Sequence, residues 1–264
     1  MVAASDNGPS IPQAPELRVC ADPDDLPFSN AAAQGFENEI VEMIARDLGV
    51  VLSYAWMPEQ NDLLHNTLDT GRCDVVLGVS SGDSQVLTTR PYYRSTYVFV
   101  QRADRGTPVR SLSDPRLERL RIGIQEIGGD YNSLPPGVAL ARRGLEQQIS
   151  AFTLYGEDAP VSSSHDLIQA VADGRIDLAI AWGPLAGYFA RVSGKLLEIT
   201  PVPTSEGSGA TQFAYDIAMG VRRDDSALRY TLDDALSRRH TEIAAILARY
   251  GVPIVPPDPK LVSR

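Results

Sequence analysis

A chain of 264 residues, 43% of them apolar, is long enough for one large domain or two small ones with ordinary cores. Its formal charge of −10, from 24 basic and 34 acidic residues, weighs against nucleic-acid binding, which needs clustered Lys and Arg. No stretch approaches the roughly 20 apolar residues of a membrane-spanning helix.

Residues 1–14 read as a solvated tail, with Pro9, Pro12 and Pro15 around its end. No secretory leader is visible there, and Met1 before Val2-Ala3-Ala4 fits a start placed on a trimmed chain. Arg18-Val19-Cys20-Ala21 is the first predicted strand. A Pro-rich loop follows, then a helix from about Glu37 to Leu48, with Ile40, Ile44 and Leu48 on one stripe and Gly49 as its stop. Val51-Leu52-Ser53-Tyr54 is the second strand. Leu64 and Leu68, four apart, mark a helix ended by Gly71, and Val75-Val76-Leu77 is the third strand. The same series then restarts: Ile122-Gly123-Ile124, Phe152-Thr153-Leu154-Tyr155, a helix over Leu167 and Val171, Gly174, and Leu178-Ala179-Ile180.

The restart is a duplication. Leu17-Arg18-Val19 returns as Leu120-Arg121-Ile122, and Gly71-Arg72-Cys73-Asp74 returns as Gly174-Arg175-Ile176-Asp177, both at an offset of 103 positions. The short, uncharged apolar runs suit strands covered on both faces, as in parallel sheets. The expected architecture is α/β, with two similar lobes, each a mostly parallel sheet flanked by helices. Between them, Tyr93 to Val100 alternates as an extended crossing segment, residues 201–211 read as a linker, and Phe213 to Val221 is a returning strand. Ser226 to Tyr250 reads as one helix. Residues 15–98 and 212–264 are thus assigned to lobe one and residues 99–211 to lobe two, joined by a two-strand hinge. A doubly wound single sheet is the competing arrangement.

Ligands of open α/β sheets bind at the C-terminal strand ends. That rule nominates Asp22, Leu26, Phe28, Ser80 and Ser81 from lobe one. From lobe two it nominates Gln125, Gly128, Gly129, Asp130, Tyr131 and Trp182. Each has a plainer reading: Asp22 and Asp130 as turn caps, Trp182 as core. Gly78-Val79-Ser80-Ser81-Gly82 matches the G-x-S-x-G elbow of hydrolases, which needs a helix directly after the serine and a later Asp and His. His65, His165 and His240 lack metal-ligand spacing, and neither metal nor cofactor is expected. Cys20 and Cys73 fall on neighbouring strands, so either a disulfide or two buried thiols fits.

Leu17-Arg18-Val19, Asp22, Leu26-Pro27-Phe28, Gly35-Phe36-Glu37, Gly71-Arg72-Cys73-Asp74 and Thr89-Arg90-Pro91-Tyr92-Tyr93 follow, in that order, the pattern of type II periplasmic solute-binding proteins. Over roughly residues 16–254 the chain resembles that group. More narrowly, Val19-Cys20-Ala21-Asp22-Pro23, Gly35-Phe36-Glu37-Asn38 and the run Thr88 to Val100 resemble the MxaJ and XoxJ type, encoded beside quinoprotein methanol dehydrogenases of calcium or lanthanide form. The resemblance implies a periplasmic, non-enzymatic accessory protein that matures, activates or docks a PQQ-dependent methanol dehydrogenase, the expected partner. A receptor delivering a small, weakly charged solute to an ABC transporter is the alternative, with a solute or a peptide segment in the cleft. Amino-acid binders of this fold usually place an Arg soon after the third strand and an Asp after the last strand of lobe two. Here those places read Ser80 to Gln85 and Trp182-Gly183-Pro184.

Overall fold

The computed structural model describes residues 15–58, 62–127, 130–155, 163–203 and 211–256. The chain runs β1 (Glu16–Ala21), the small hairpin β2 (Asp24–Asp25) and β3 (Ser29–Asn30), α1 (Phe36–Leu48), β4 (Val51–Trp56), β5 (Val75–Ser80), β6 (Leu87–Thr88) and β7 (Tyr93–Arg102). It continues with β8 (Ile122–Ile127), α2 (Pro135–Ala141), β9 (Ile149–Tyr155), α3 (Ser163–Ala172), β10 (Leu178–Trp182), α4 (Gly183–Val192) and β11 (Leu197–Pro201). The last elements are β12 (Ala214–Val221), α5 (Ser226–Arg238) and α6 (His240–Tyr250).

The duplication is visible in the strand order. Lobe one is ordered β4-β1-β5-β12-β7 and lobe two β9-β8-β10-β7-β11. In each, the first three strands are parallel and the rest antiparallel. Both sheets use β7. Its Tyr93–Thr96 half pairs with β12, while Tyr97–Val100 pairs with β10. The crossing segment is therefore more than a connector, and the ladder of strands runs unbroken from β4 to β9.

The lobes are divided by packing. Leu17, Val19, Ile40, Ile44, Val75 and Val221 share the main lobe-one core. In lobe two the sheet is covered on both sides: Leu178 and Ile180 face one core with Ile122 and Leu140, while Ala179 and Ala181 face another with Leu167 and Val171. Burial on both faces explains why these strands read as continuous apolar runs.

The repeated polar residues build the same clamp twice. Arg18 donates Nε and Nη2 to Asp74 (2.9 and 2.6 Å) and Nη1 to the carbonyl of Gly71 at 2.7 Å. Arg121 donates to Asp177 from Nε and Nη2 (both 3.0 Å) and from Nη2 to the carbonyl of Gly174 at 2.9 Å. Gly71 and Gly174 take φ of 71° and 74°, the left-handed conformation that suits glycine at a helix stop. Each clamp joins the start of the first strand to the entry of the third, opposite the C-terminal strand ends. Arg222 adds a second cation to Asp74 alone, at 3.1 Å.

Burial pushes the Asp74 carboxyl up, but hydrogen bonds from Arg18 and Arg222 outweigh this and leave it below its ordinary value. Such a lowered group adds stability above the ordinary carboxylate range, and that stability is lost as the pH falls through its folded value. Asp74→Ala is expected to cost about 2 kcal/mol at neutral pH, from charged hydrogen bonds lost beside two stranded guanidiniums. Asp177→Ala, which strands only the half-exposed Arg121, is expected to cost less. Urea melts of both variants at neutral and acidic pH check this, the Asp74 difference shrinking in acid.

Two local expectations are corrected. The single helix over Ser226 to Tyr250 is broken at Arg239, which has φ −105° and ψ 13°. At the break Arg238 and Arg239 both reach the Asp47 carboxylate of α1, each at 2.6 Å, and His240 begins a new helix. The helix before Gly71 is one π-helical turn, Leu64–Leu68, in which the Thr67 hydroxyl bonds the carbonyl of Leu63. At the back of the hinge, α4 lies so close to the chain after α6 that a Cβ on Gly187 would sit 1.9 Å from the carbonyl oxygen of Gly251.

Candidate functional site

A cleft of about 750 Å³ opens between the lobes at the C-terminal ends of their parallel strands. Its lobe-one wall is set by the first turn of α1. A Cβ on Gly35 would stand 2.0 Å from the carbonyl oxygen of Phe28, so only glycine lets that helix approach the preceding loop. The amides of Phe36 and Glu37 then donate to the carbonyls of Pro27 and Phe28 at 2.8 and 2.9 Å. Asn38 Oδ1 accepts from the amides of Gly35 and Asn30, both at 3.0 Å, sealing the exposed helix end. Phe36, fully buried, packs against Phe28, Tyr93 and Tyr250. The Gly35-Phe36-Glu37-Asn38 run thus has a physical meaning: close approach, core anchor, cleft carboxylate and cap.

Glu37 reaches across to Gly78 on β5, where a Cβ would fall 2.7 Å from Glu37 Oε1. Gly78 has φ 75°, and its amide donates to the Tyr92 hydroxyl at 3.3 Å. Burial, then the nearby Glu37 charge, push the Tyr92 and Tyr93 hydroxyls well above the usual phenol range. Both are neutral hydroxyls at neutral pH.

The floor comes from the hinge strands. Trp182, at the end of β10, meets Tyr97 of β7 at 5.4 Å and Tyr215 of β12 at 5.8 Å, both edge-on. The lobe-two wall is Gln125, Ile127, Ser133, Leu134, Pro135 and Leu185.

Of the residues nominated from sequence, Asp22, Phe28, Ser80, Gln125 and Trp182 border the cleft. Leu26 and Ser81 do not border it; the amide of Ser81 is tied to the carbonyl of Asp216 at 2.7 Å. Asp130 caps the short turn Tyr131–Ser133 by accepting from the amide of Asn132 at 2.9 Å, and it too stands off the cleft. Tyr131 opens that turn. Gly128 and Gly129 lie outside the described residues. Asp22 also caps a turn, accepting from the amide of Asp24 at 2.8 Å, so its plainer reading and its place in the cleft coexist.

Sequence reasoning missed Glu37, Tyr93, Tyr97 and Tyr215, which border the cleft from residues read as a helix start and hinge strands. For Tyr93 and Tyr97 the signal was the aromatic density of residues 92–99, which the crossing role alone does not need. Cys20 and Cys73 are bonded to each other with their Cα atoms 5.5 Å apart, and Cys20 touches the cleft.

After Ser80 the chain turns toward β6 and not into a helix, and no histidine borders the cleft among the described residues. The strand-to-helix elbow of the hydrolase pattern is therefore not built. No Lys or Arg borders the cleft among the described residues either. Arg90, the first arginine after β5, instead lies on α5, with Nη2 3.1 Å from the Ser237 hydroxyl. No group of three or more His, Cys, Asp or Glu able to hold a metal ion occurs among the described residues.

Two lobes of this strand order around a cleft define a solute-binding protein, and residues 17–253 match the family of bacterial extracellular solute-binding proteins, family 3, to which the chain belongs. Within it the chain is of the MoxJ/MxaJ/XoxJ type. It is 35% identical over 93% of its length to protein MoxJ of Methylorubrum extorquens, covering 83% of that protein. Against protein MoxJ of Paracoccus denitrificans it is 31% identical, over 94% of this chain and 92% of that one. The solved structure of XoxJ from Methylobacterium extorquens superposes with a TM-score of 0.74 at 32% identity, over 91% of this chain and all of that one.

Proposed function

We propose that this protein is a periplasmic, non-enzymatic accessory of a PQQ-dependent methanol dehydrogenase, which it matures, activates or docks through a solute-binding scaffold. The observation that carries the reading is the end-to-end similarity to proteins MoxJ and XoxJ, at 35% and 32% identity. The cleft supports it from the other side. A receptor for zwitterionic amino acids needs a cation to hold the carboxylate, and the described lining supplies none. No helix among the described residues is long and apolar enough to cross a membrane. Deleting the gene should lower dehydrogenase activity or its metal and cofactor loading. Fully loaded, normally active enzyme in a clean deletion strain would refute the proposal.

The retained cleft of about 750 Å³ favours a second reading, a transport receptor that closes on a small solute. A ligand closes the lobes only if it binds the closed state better. Small-angle scattering that contracts on adding a solute, together with normal dehydrogenase in the deletion strain, would select it.

A further inference from the structure

We propose that the chain after α6 locks the two lobes at one angle, so that the cleft keeps a constant width and does not close as a clamshell. Val252, in that segment, belongs to the lobe-one core. Its neighbours Gly251 and Pro253 instead lie against α4 of lobe two. Gly183, Gly187 and Arg191 are four apart and share one stripe of α4. A Cβ on Gly183 would stand 2.5 Å from the carbonyl oxygen of Thr96 and 2.6 Å from Pro253 Cγ. One on Gly187 would stand 2.8 Å from the carbonyl carbon of Gly251. From the other side, a Cβ on Gly251, whose φ is 76°, would meet Arg191 Cδ at 2.6 Å. The two segments touch backbone to backbone, with no side chain of either glycine between them to yield.

Polar and aromatic contacts hold this seam at both ends. Arg191 donates Nη1 to the carbonyl of Ala248 at 3.2 Å. The ring of Tyr188 stacks on Tyr250 of α6, with centroids 5.9 Å apart and planes 21° from parallel. Tyr250 in turn donates its hydroxyl to the carbonyl of Gln34 at 2.7 Å. Further on, the buried Ser95 donates its hydroxyl to the carbonyl of Pro253 at 2.6 Å, and the amide of Val255 donates to the carbonyl of Arg94 at 3.0 Å. These bonds fasten the segment to β7. Rotating the lobes about β7 would slide α4 over it. In one sense the motion drives Gly187 into the Gly251 carbonyl. In the other it parts the tyrosine pair and the Arg191 bond and opens a void over the glycines. The hinge strand gives no relief. Hinges need a few residues free to change φ and ψ. Here Thr96 pairs with Ala214 and the next residue, Tyr97, with Trp182, so β7 has no unpaired position between the two sheets.

The lock goes beyond both functional readings. It concerns the purified protein alone, so any result from the deletion strain leaves it standing. Pulsed electron paramagnetic resonance between two nitroxides tests it. Cys20 and Cys73 are bonded to each other, so the labels attach to introduced cysteines. Ser84→Cys with Asn132→Cys puts one label on each side of the cleft mouth; both positions are exposed, and their neighbours Asp83, Gln85 and Ser133 border the cleft. Ser84→Cys with the exposed Glu42→Cys is the control within lobe one. The interlobe distances should form a single peak no wider than the control. Gly187→Ala, which wedges the seam, should widen that peak to about twice the control width and leave the control unchanged. Tyr188→Ala with Arg191→Ala should do the same; it adds no atoms, so it reports even where Gly187→Ala fails to fold. Two interlobe peaks in the parent, a parent peak about twice as wide as the control, or an unchanged peak in the folded double variant would overturn the proposal.

Discussion

Replacing both half-cystines, as Cys20→Ala with Cys73→Ala, is expected to lower the stability of the protein by about 4 kcal/mol, the chain-entropy value for a loop of this length. The bond spans 53 positions, so it removes much freedom from the unfolded chain. It also ties β1 to the approach of β5, whose register pairs Cys20 with Val76. Both residues are buried beside Leu63, Leu68 and Val86. Alanine is preferred to serine because serine would bury two hydroxyls there. The melting temperature should fall by roughly 10 °C. A reductant should lower the melting temperature of the parent protein and leave the double variant where it is. Equal melting of the two oxidised proteins would remove the bond from the account of stability.

Gly35→Ala should cost about 3 kcal/mol, the upper part of the overpacking range. Its φ of −84° suits any residue, so the penalty is purely one of space. The new methyl would meet the Phe28 carbonyl carbon at 2.3 Å and the Ser29 amide nitrogen at 2.6 Å, both backbone atoms that no rotamer can move aside. Relief requires the loop before α1 to lift from the helix end. That loosens the bonds to the carbonyls of Pro27 and Phe28 and shifts Asp22, Asp25 and Phe28 together. The variant should therefore lose stability and cleft binding at once. Gly49→Ala is the control: φ there is 67° and no atom lies within 4 Å, so it strains the chain without touching the cleft. Loss of stability with binding intact in Gly35→Ala would show that the loop does not shape the site.

Much of the architecture was legible because duplication puts local signals in two places. Arg18 and Arg121, or Gly71 and Gly174, repeat at one offset since each pair performs one mechanical task in its lobe. The apolar runs at Val75 and Leu178 were readable because a strand buried on both sides leaves no polar alternation. The break at Arg239 was not readable, since the apolar spacing continues through it and its cause, Asp47, is distant in sequence. The cleft was half legible for a similar reason. Strand-end rules found Asp22, Ser80, Gln125 and Trp182, but Glu37 and Tyr97 enter it through packing between elements, which spacing alone does not encode.

The shared strand β7 bears on how such a molecule can be divided. With Tyr93–Thr96 stitched into one lobe and Tyr97–Val100 into the other, a cut through β7 would take from lobe two a strand that lies between β10 and β11 and would open raw hydrogen-bonding edges on both.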